Sequence, residues 1–334
     1  MTSLQWEGNI APDYRVFDLR GSHYQIGASL GRSIPRFAIM PWWSPSPDRD
    51  FALSCALIFG EVHAPLLDEY RGYADAQGLV YEDLLQGICR ASLRQRAVGA
   101  CTSLAWRRDG RVIVGRNYDF RAIQTIRLRI RLSPDVALPS LGMQGSLPGG
   151  RYDGVNAHGL FVSLHVVMTD DREPRAPAIP FHLIPRILLE KCRAVGEALE
   201  LIMRLPHLNA FNYLLADPAR FAVVEAHPAR LRVLEAEGDS VAVANHYRHP
   251  DMIPLQGRRD VSGSQRRVER ADELTKLCPD IESILCDHTA PLCEHRPHNS
   301  TLWSVVADLG ARRIAYAPGT PCNVTYQPVD WPAW

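Results

Sequence analysis

Residues 99–106 read GACTSLAW, and residues 115–120 read GRNYDF. In the first stretch, a cysteine follows two small residues and begins a strand-like run. The dipeptide Asp109-Gly110 lies between the two stretches, and such a pair between apolar runs is a strong hairpin signal. The sequence therefore predicts two neighbouring antiparallel strands with Cys101 at the start of the first. We interpret Cys101 as a nucleophile with electrostatic partners on the second strand.

The patterns of secondary structure change at Cys101. Upstream, residues 51–79 and 81–95 have helical periodicity, and Ser22 is a candidate N-cap of an earlier helix. Strands and helices then occur in groups, which favours antiparallel sheets covered by helices over a parallel sheet with regular crossovers. The strand candidates are 101–107, 111–120, 126–132, 151–156, 159–167, four in 211–245 and a hairpin at 299–318, and the helix candidates are 180–204 and 264–276.

We therefore predict an α+β fold of two antiparallel sheets. Its N-terminal helical segment comprises residues 1–100, and its core comprises residues 101–334. The two parts are expected to pack together as one domain.

The composition narrows the class of protein. The 334 residues are 46% hydrophobic and 22% charged, with Lys+Arg and Asp+Glu balanced at 37 each. This balance argues against nucleic acid or a membrane surface as a partner. The N-terminus has neither a basic start nor an apolar core, and no apolar run is long enough to cross a bilayer. We expect a cytoplasmic protein with reduced cysteines. A homo-oligomer is left open, since the sequence does not determine the oligomeric state.

The chemistry of Cys101 depends on how its thiol loses a proton, because only a few per cent of free thiol is ionised at pH 7. Cutting the bond before Cys101 would create an α-amino group with a pKa of about 7.7–8.0. That amine could accept the thiol proton and later protonate a leaving group. The small residues Gly99 and Ala100 suit such a cut. A cysteine–histidine pair with His246 or His288 is the alternative.

Seven segments together resemble the N-terminal-nucleophile (Ntn) hydrolases of the choloylglycine hydrolase and penicillin acyltransferase group. More specifically, the sequence resembles the acyl-CoA:6-aminopenicillanic acid acyltransferase branch, peptidase family C45. The resemblance extends over nearly the whole chain, and the motifs occur in order with the cysteine–aspartate spacing intact. The segments are residues 19–27, 101–119, 152–160, 211–217, 244–247, 301–306 and 319–322.

This resemblance implies a four-layer αββα sandwich and a precursor that is cut between Ala100 and Cys101. It also implies that Cys101 is the nucleophile and, through its amine, the base. Asp119 would hold the α-amino group, and Arg116 would favour the thiolate. Asn245 would donate its amide to the oxyanion.

Further residues are implied to support the site. Arg267, with Arg266 as the alternative, matches an arginine on a late helix. His165 aligns with an asparagine that offers a backbone oxyanion donor in the bile-salt branch. Asn117 and His246 complete the predicted set. Strand alternation places Asn117 and Asp119 on one face and Arg116 on the other, so that a bulge or a strand end must intervene if all act together.

A region rich in cysteine and histidine follows the late helix. Its spacings lack the short paired ligands of zinc sites, so we predict packed loop residues and no metal or cofactor. Acyl-CoA is expected only as a substrate. The residues concerned are Cys278, Cys286, His288, Cys293, His295 and His298.

The predicted function is that of a self-processing cysteine amidase or acyl-CoA-dependent N-acyltransferase. It would cleave or form a non-peptide carbon–nitrogen bond, or cleave a thioester, through an acyl-enzyme. Its partners would be a small-molecule amide, an amine or an acyl thioester. The alternative is an unprocessed, non-catalytic homologue that serves as a ligand-binding scaffold.

Overall fold

The computed structural model describes residues 12–34, 49–93, 100–121, 124, 126–170, 176–236, 238–258, 260–277, 280–296 and 299–333. Gly99, Cys278 and His298 lie outside the described residues. Within those ranges the helices are α1 (His23–Ser33), α2 (Arg49–Val62), α3 (Pro65–Gln77), α4 (Tyr81–Leu93), α5 (Leu183–Lys191), α6 (Val195–Ile202), α7 (Ile253–Gln256), α8 (Ser262–Leu277) and α9 (Ile281–Leu285).

The strands form two sheets. The eight-stranded sheet has the order β1-β4-β5-β6-β7-β8-β9-β10, and the seven-stranded sheet has the order β11-β2-β3-β13-β14-β15 with β12 paired to β13. The strands are β1 (Val16–Gly21), β2 (Thr102–Arg108), β3 (Arg111–Phe120), β4 (Leu128–Pro134), β5 (Ser140–Gln144), β6 (Asp153–Asn156), β7 (Phe161–Val166), β8 (Phe211–Ala216), β9 (Phe221–His227), β10 (Arg230–Glu235), β11 (Ser240–Val243), β12 (His295–Arg296), β13 (Asn299–Asp308), β14 (Arg313–Ala317) and β15 (Gln327–Val329).

The predicted α+β class and four-layer αββα arrangement are confirmed. Helices α5 and α6 pack over β6 to β9, whereas α8 and α9 pack over β11, β2, β3 and β13. The two sheets face each other between these helical layers, with β2 near β8 and β11 near β9. One pair departs from the antiparallel prediction, since β1 pairs with β4 in parallel. The four helices between these strands supply the long crossover that a parallel pair requires.

Two local predictions, the Asp109-Gly110 turn and the Ser22 helix cap, are confirmed. Asp109 and Gly110 both have positive φ, 50° and 73°, as the tight turn between β2 and β3 requires. Ser22 caps α1 by accepting a hydrogen bond from Gln25 N, while the Gln25 side chain accepts from Ser22 N.

Residues 51–79, predicted as one helical stretch, contain the two helices α2 and α3. The helical stretch is interrupted before Pro65 because this proline starts the second helix.

A buried polar network ties the N-terminal helices to α5. His23 Nε2 and His63 Nε2 lie 3.1 Å and 2.5 Å from Glu190 Oε2. Arg186 Nε donates to Glu190 Oε1 at 2.6 Å, and Arg186 Nη2 donates to Glu69 Oε2 at 2.7 Å. All five side chains are buried. Residues from both sides of Cys101 therefore share one hydrogen-bonded cluster.

Among the helices in the described part of the chain, none is long and apolar enough to span a membrane.

Replacing Glu190 with glutamine tests this network. Glu190→Gln removes one of the two carboxylates that neutralise the buried Arg186 guanidinium. We expect the free energy of unfolding to fall by roughly 3 kcal/mol, because breaking a buried ion pair leaves an uncompensated charge. Urea unfolding measures the loss. Glu200→Gln, on the exposed face of α6, is the control. Equal urea midpoints for the two variants would contradict a stabilising role.

Candidate active site

Cys101 lies immediately before β2 and is buried, with 2% of its surface exposed. The end of β3 positions it. Ala100 N donates to the Asp119 carbonyl oxygen at 3.3 Å, and Cys101 Sγ lies 4.0 Å from the same oxygen. The sheet therefore fixes both residues of the predicted cleavage junction against the neighbouring strand.

Arg116 lies beside the thiol. Its Nη2 is 3.8 Å from Cys101 Sγ, and its Nε is 3.4 Å from Asp153 Oδ2. The Asp153 carboxylate also accepts from Trp303 Nε1 at 2.7 Å and from the Tyr316 hydroxyl at 3.3 Å. Arg116 and Asp153 are fully buried, and a charge in that environment requires an opposite partner. The ion pair thus keeps a guanidinium against the sulfur.

The surroundings leave the thiol neutral. Burial raises the pKa of Cys101 above its ordinary value, and the Asp119 charge adds to this effect. Arg116 and Arg267 lower the pKa of Cys101 but do not offset burial. A thiol in this state needs a base before it can act as a nucleophile.

Asp119 lies near the end of β3, and its carboxyl is held by Thr301 of the neighbouring strand β13. Thr301 Oγ1 donates to Asp119 Oδ1 at 2.6 Å, and Glu294 N donates to Thr301 Oγ1 at 3.0 Å. Burial raises the pKa of the Asp119 carboxyl to about 7, against the lowering effects of Thr301 and Arg267. Asp119 Oδ2 has no hydrogen-bond partner within the described residues. This buried oxygen remains available to a donor.

The faces of β3 are those that strand alternation predicts. Arg116 faces Cys101, whereas the Asn117 amide donates to the carbonyl oxygens of Leu285 at 2.8 Å and Leu292 at 2.7 Å. Asn117 therefore anchors the α9 region and does not contact Cys101. The register between β3 and the partner strand β13 shifts between Thr301 and Trp303.

Asn245 is oriented by Arg267. The Arg267 Nη2 donates to Asn245 Oδ1 at 2.8 Å, and its Nε donates to Thr102 Oγ1 at 3.0 Å. The Asn245 amide nitrogen donates to Val166 O at 2.9 Å, which leaves a second N–H on the same nitrogen. Arg267 is buried, whereas Arg266 is exposed. Of the two arginines, Arg267 is thus the one that reaches the residues next to Cys101.

Within the described residues, His165 and His246 each lie against a serine hydroxyl. His165 Nε2 lies 2.7 Å from Ser103 Oγ and its Nδ1 lies 3.3 Å from Asn212 O, so its proton is assigned to Nδ1. Burial lowers the pKa of His165 well below its ordinary value, which keeps the ring neutral. His246 Nδ1 lies 2.7 Å from Ser264 Oγ, and burial lowers the pKa of His246 to about 4.

The exposed His288 contacts His295. Within the described ranges, Cys101 Sγ contacts polar groups of Asp119 and Arg116, so neither His246 nor His288 supplies the alternative cysteine–histidine pair.

Comparison with known proteins identifies the family of the chain. The family model of acyl-coenzyme A:6-aminopenicillanic acid acyl-transferase matches residues 106–323, more than half of the chain. The chain belongs to this family. The matched residues include Arg116, Asp119, Asn245 and Arg267, and they begin shortly after Cys101. No curated protein sequence matches the chain.

Solved structures show the same fold. An arginine-to-leucine variant of the conjugated bile acid hydrolase from Clostridium perfringens aligns with a TM-score of 0.52 and 16% identity, covering 69% of this chain and 92% of the other. A cysteine-to-alanine variant of that hydrolase aligns with a TM-score of 0.51, 16% identity and the same coverage. The Ntn-hydrolase fold predicted from the sequence is thereby confirmed. Membership of the acyl-transferase family supports an amidase or acyltransferase that acts on carbon–nitrogen bonds.

Several residues around the site were not singled out from the sequence of this family member. Asp153 and Thr301 belong to segments 152–160 and 301–306, which carry the family resemblance, but nothing in those segments shows that they contact Arg116 and Asp119. Glu294 lies in the region rich in cysteine and histidine, where no pattern indicates a link to Asp119. These roles depend on pairing between distant strands.

Thr301→Val tests the control of the Asp119 carboxyl. The valine cannot donate, and a hydrogen bond to a charged group contributes about 1.5–3 kcal/mol. We expect the pKa of Asp119 to rise above its value of about 7 by about one to two units. Infrared difference spectra across a pH series would follow the carboxyl band, with Asp119→Asn to assign it and Cys101→Ala as the background that keeps the chain uncut.

The raised pKa of Asp119 also determines how the stability of the folded protein changes with pH. A folded-state pKa above the unfolded value means that Asp119 lowers the free energy of unfolding as pH rises from about 4 to about 7. Thr301→Val extends that loss to higher pH. The control is Thr325→Val, at an exposed position. An unshifted carboxyl band in Thr301→Val would show that Thr301 does not set the pKa of Asp119.

Proposed function

We propose that the protein is an autocatalytically processed cysteine Ntn enzyme that cleaves or forms amide bonds through an acyl-enzyme on Cys101. The observation that carries this proposal is the position of Cys101 directly before the first residue of β2, with Arg116 Nη2 at 3.8 Å from its sulfur. Membership of the acyl-transferase family supports the same reaction class.

Processing begins with Cys101 Sγ attacking the Ala100 carbonyl carbon. The Ala100–Cys101 carbon–nitrogen bond breaks, the nitrogen takes a proton, and a thioester links Ala100 to the sulfur. Water then hydrolyses the thioester to give the Ala100 carboxylate and a free thiol. The chain that starts at Cys101 now carries both a nucleophile and an α-amino group.

Asp119 is suited to hold that amine. Its carbonyl oxygen already accepts from Ala100 N, and its buried Oδ2 has no other partner within the described part of the chain. An ammonium group nearby favours the charged carboxylate and lowers the pKa of Asp119. The amine is thereby oriented toward the sulfur of the same residue.

The catalytic cycle uses the same groups on a substrate. The α-amino group accepts the thiol proton, and Arg116 stabilises the thiolate. The sulfur attacks the substrate carbonyl, and the second N–H of the Asn245 amide donates to the oxyanion. The amine then protonates the leaving nitrogen, and the acyl-enzyme is resolved by water or by an amine. Arg267 positions Asn245 without contacting the reacting atoms.

The substrate class follows from this cycle. Either a small-molecule amide or an acyl thioester such as acyl-CoA can deliver the acyl group to Cys101. Hydrolysis and acyl transfer share the acyl-enzyme and differ in the acceptor, which the surrounding loops select.

The cut itself is tested by intact mass. We expect the wild-type chain to appear as two fragments, the larger beginning at Cys101. Cys101→Ala should remain one chain of 37.4 kDa and lose turnover, because it lacks a nucleophile. Cys101→Ser should cut more slowly, and the half-buried Cys286→Ser should cut like the wild type. An uncut, inactive wild type would instead favour the non-catalytic, ligand-binding alternative, and turnover by Cys101→Ala would exclude the proposed nucleophile.

The oxyanion role is tested by Asn245→Asp. The carboxylate keeps an acceptor for Arg267 but lacks the amide donor, so kcat should fall roughly 10²–10³-fold with little change in KM. The assay supplies acyl-CoA and a panel of amines to the mature enzyme, and measures free acid and amide product. Asn209→Asp, whose native amide bonds Ser92 O, is the control. A kcat for Asn245→Asp equal to that of the control would contradict this role.

A further inference from the structure

Four side chains with metal-ligating atoms, none of them Cys101, converge at β12. They belong to His288, Cys293, His295 and Cys322, and their ligand atoms all lie within 4.8 Å of one another. His295 Nε2 is 3.2 Å from His288 Nε2, 3.3 Å from Cys293 Sγ and 3.1 Å from Cys322 Sγ. The two sulfurs are 3.6 Å apart.

Hydrogen bonding does not account for this cluster. An imidazole nitrogen has either one proton or one lone pair, so His295 Nε2 can satisfy only one of its three close neighbours. A disulfide does not account for it either, because bonded sulfurs lie about 2.05 Å apart. A cation at the centre of the four atoms would satisfy all of them at once.

We propose that His288, Cys293, His295 and Cys322 bind one Zn²⁺ ion as a structural site. Zinc bonds of about 2.3 Å to sulfur and about 2.0–2.1 Å to nitrogen give a tetrahedron with edges of about 3.3–3.8 Å. The three distances from His295 Nε2 and the distance between the two sulfurs lie at or slightly below these values. Two thiolates balance the ionic charge, and a tetrahedral set of two sulfurs and two nitrogens is typical of zinc.

The backbone prepares the ligands. The Asp287 carbonyl oxygen accepts from Leu292 N and Cys293 N, both at 3.0 Å, which closes the loop that carries His288 and Cys293. His295 begins β12, and Cys322 lies in a turn where Asn323 N donates to Thr320 O at 3.0 Å. The site therefore joins the loop after α9 to the turn after β14.

This proposal reverses the sequence-based prediction of no metal. That prediction considered residues 278–298 alone, whereas the fourth ligand, Cys322, comes from a segment much later in the chain. The Cys293-x-His295 pair also lacks the spacing of common zinc motifs. The pairing of β13 with both β12 and β14 brings the two segments together.

The site would support Asp119 from a distance. Cys293 and His295 flank Glu294, whose backbone N–H donates to Thr301 Oγ1 and whose carbonyl accepts from Thr301 N at 2.9 Å. Thr301 in turn donates to Asp119. A metal that fixes residues 293–295 thus fixes the donor on Asp119, while all four protein ligands leave no open position for catalysis.

Metal content provides the test. The full chain is purified with a reductant and without chelators, and then dialysed. Its zinc content is measured by inductively coupled plasma mass spectrometry. We expect about one zinc per chain, both in the wild type and in the uncut Cys101→Ala variant, since binding does not depend on processing. Replacement with Co²⁺ should give the visible bands of a tetrahedral ion and thiolate-to-cobalt charge-transfer absorption.

Ligand variants make the test specific. Cys322→Ser and His288→Ala should reduce zinc affinity at least about tenfold and weaken the charge-transfer band. Cys286→Ser and the exposed His158→Ala are the matched controls and should keep one ion per chain. Zinc well below one per chain in the wild type, or undiminished zinc affinity in Cys322→Ser, would overturn the proposal. Neither outcome would affect the proposed role of Cys101.

Discussion

A buried ion pair between the two sheets is the constraint on which the site depends. Arg116 belongs to β3 of the seven-stranded sheet, and Asp153 belongs to β6 of the eight-stranded sheet. Neither charge reaches solvent, so each is stable only where the other lies. The same ion pair therefore stabilises the packing of the two sheets and positions the guanidinium beside Cys101. Trp303 and Tyr316 complete it by donating to the carboxylate that holds Arg116.

The segment before Cys101 is built into the same structure. Strand β1 pairs in parallel with β4, and His23 and His63 both reach the Glu190 carboxylate on α5. A cut at one peptide bond would remove none of these contacts. The two chains that processing is proposed to create would thus stay together, and Cys101 would gain a free amine without losing the helices that precede it.

Local rules made part of this structure predictable. The Asp109-Gly110 hairpin, the cap at Ser22 and the opposite faces of Arg116 and Asn117 each depend on a few neighbouring residues, so the sequence contained the information. The Arg116–Asp153 pair, the shifted register opposite Asp119 and the approach of Cys322 to Cys293 depend on the register of strands far apart in the chain. Family motifs marked several of these segments, but a motif does not state which atoms meet.

The unusual Asp119 carboxyl gives the proposed processing a thermodynamic direction. In the uncut chain, burial raises its pKa to about 7, and Oδ2 has no partner within the described residues. Arg267 and Arg116 lower this pKa without offsetting burial, so a further cation would stabilise the carboxylate. Cleavage before Cys101 would create such a cation on the residue adjoining Ala100, whose backbone N–H already donates to the Asp119 carbonyl oxygen. In the proposed processing, the new amine would add a positive charge close to a carboxylate whose burial Arg267 and Arg116 do not offset, and this interaction would favour the cleaved form.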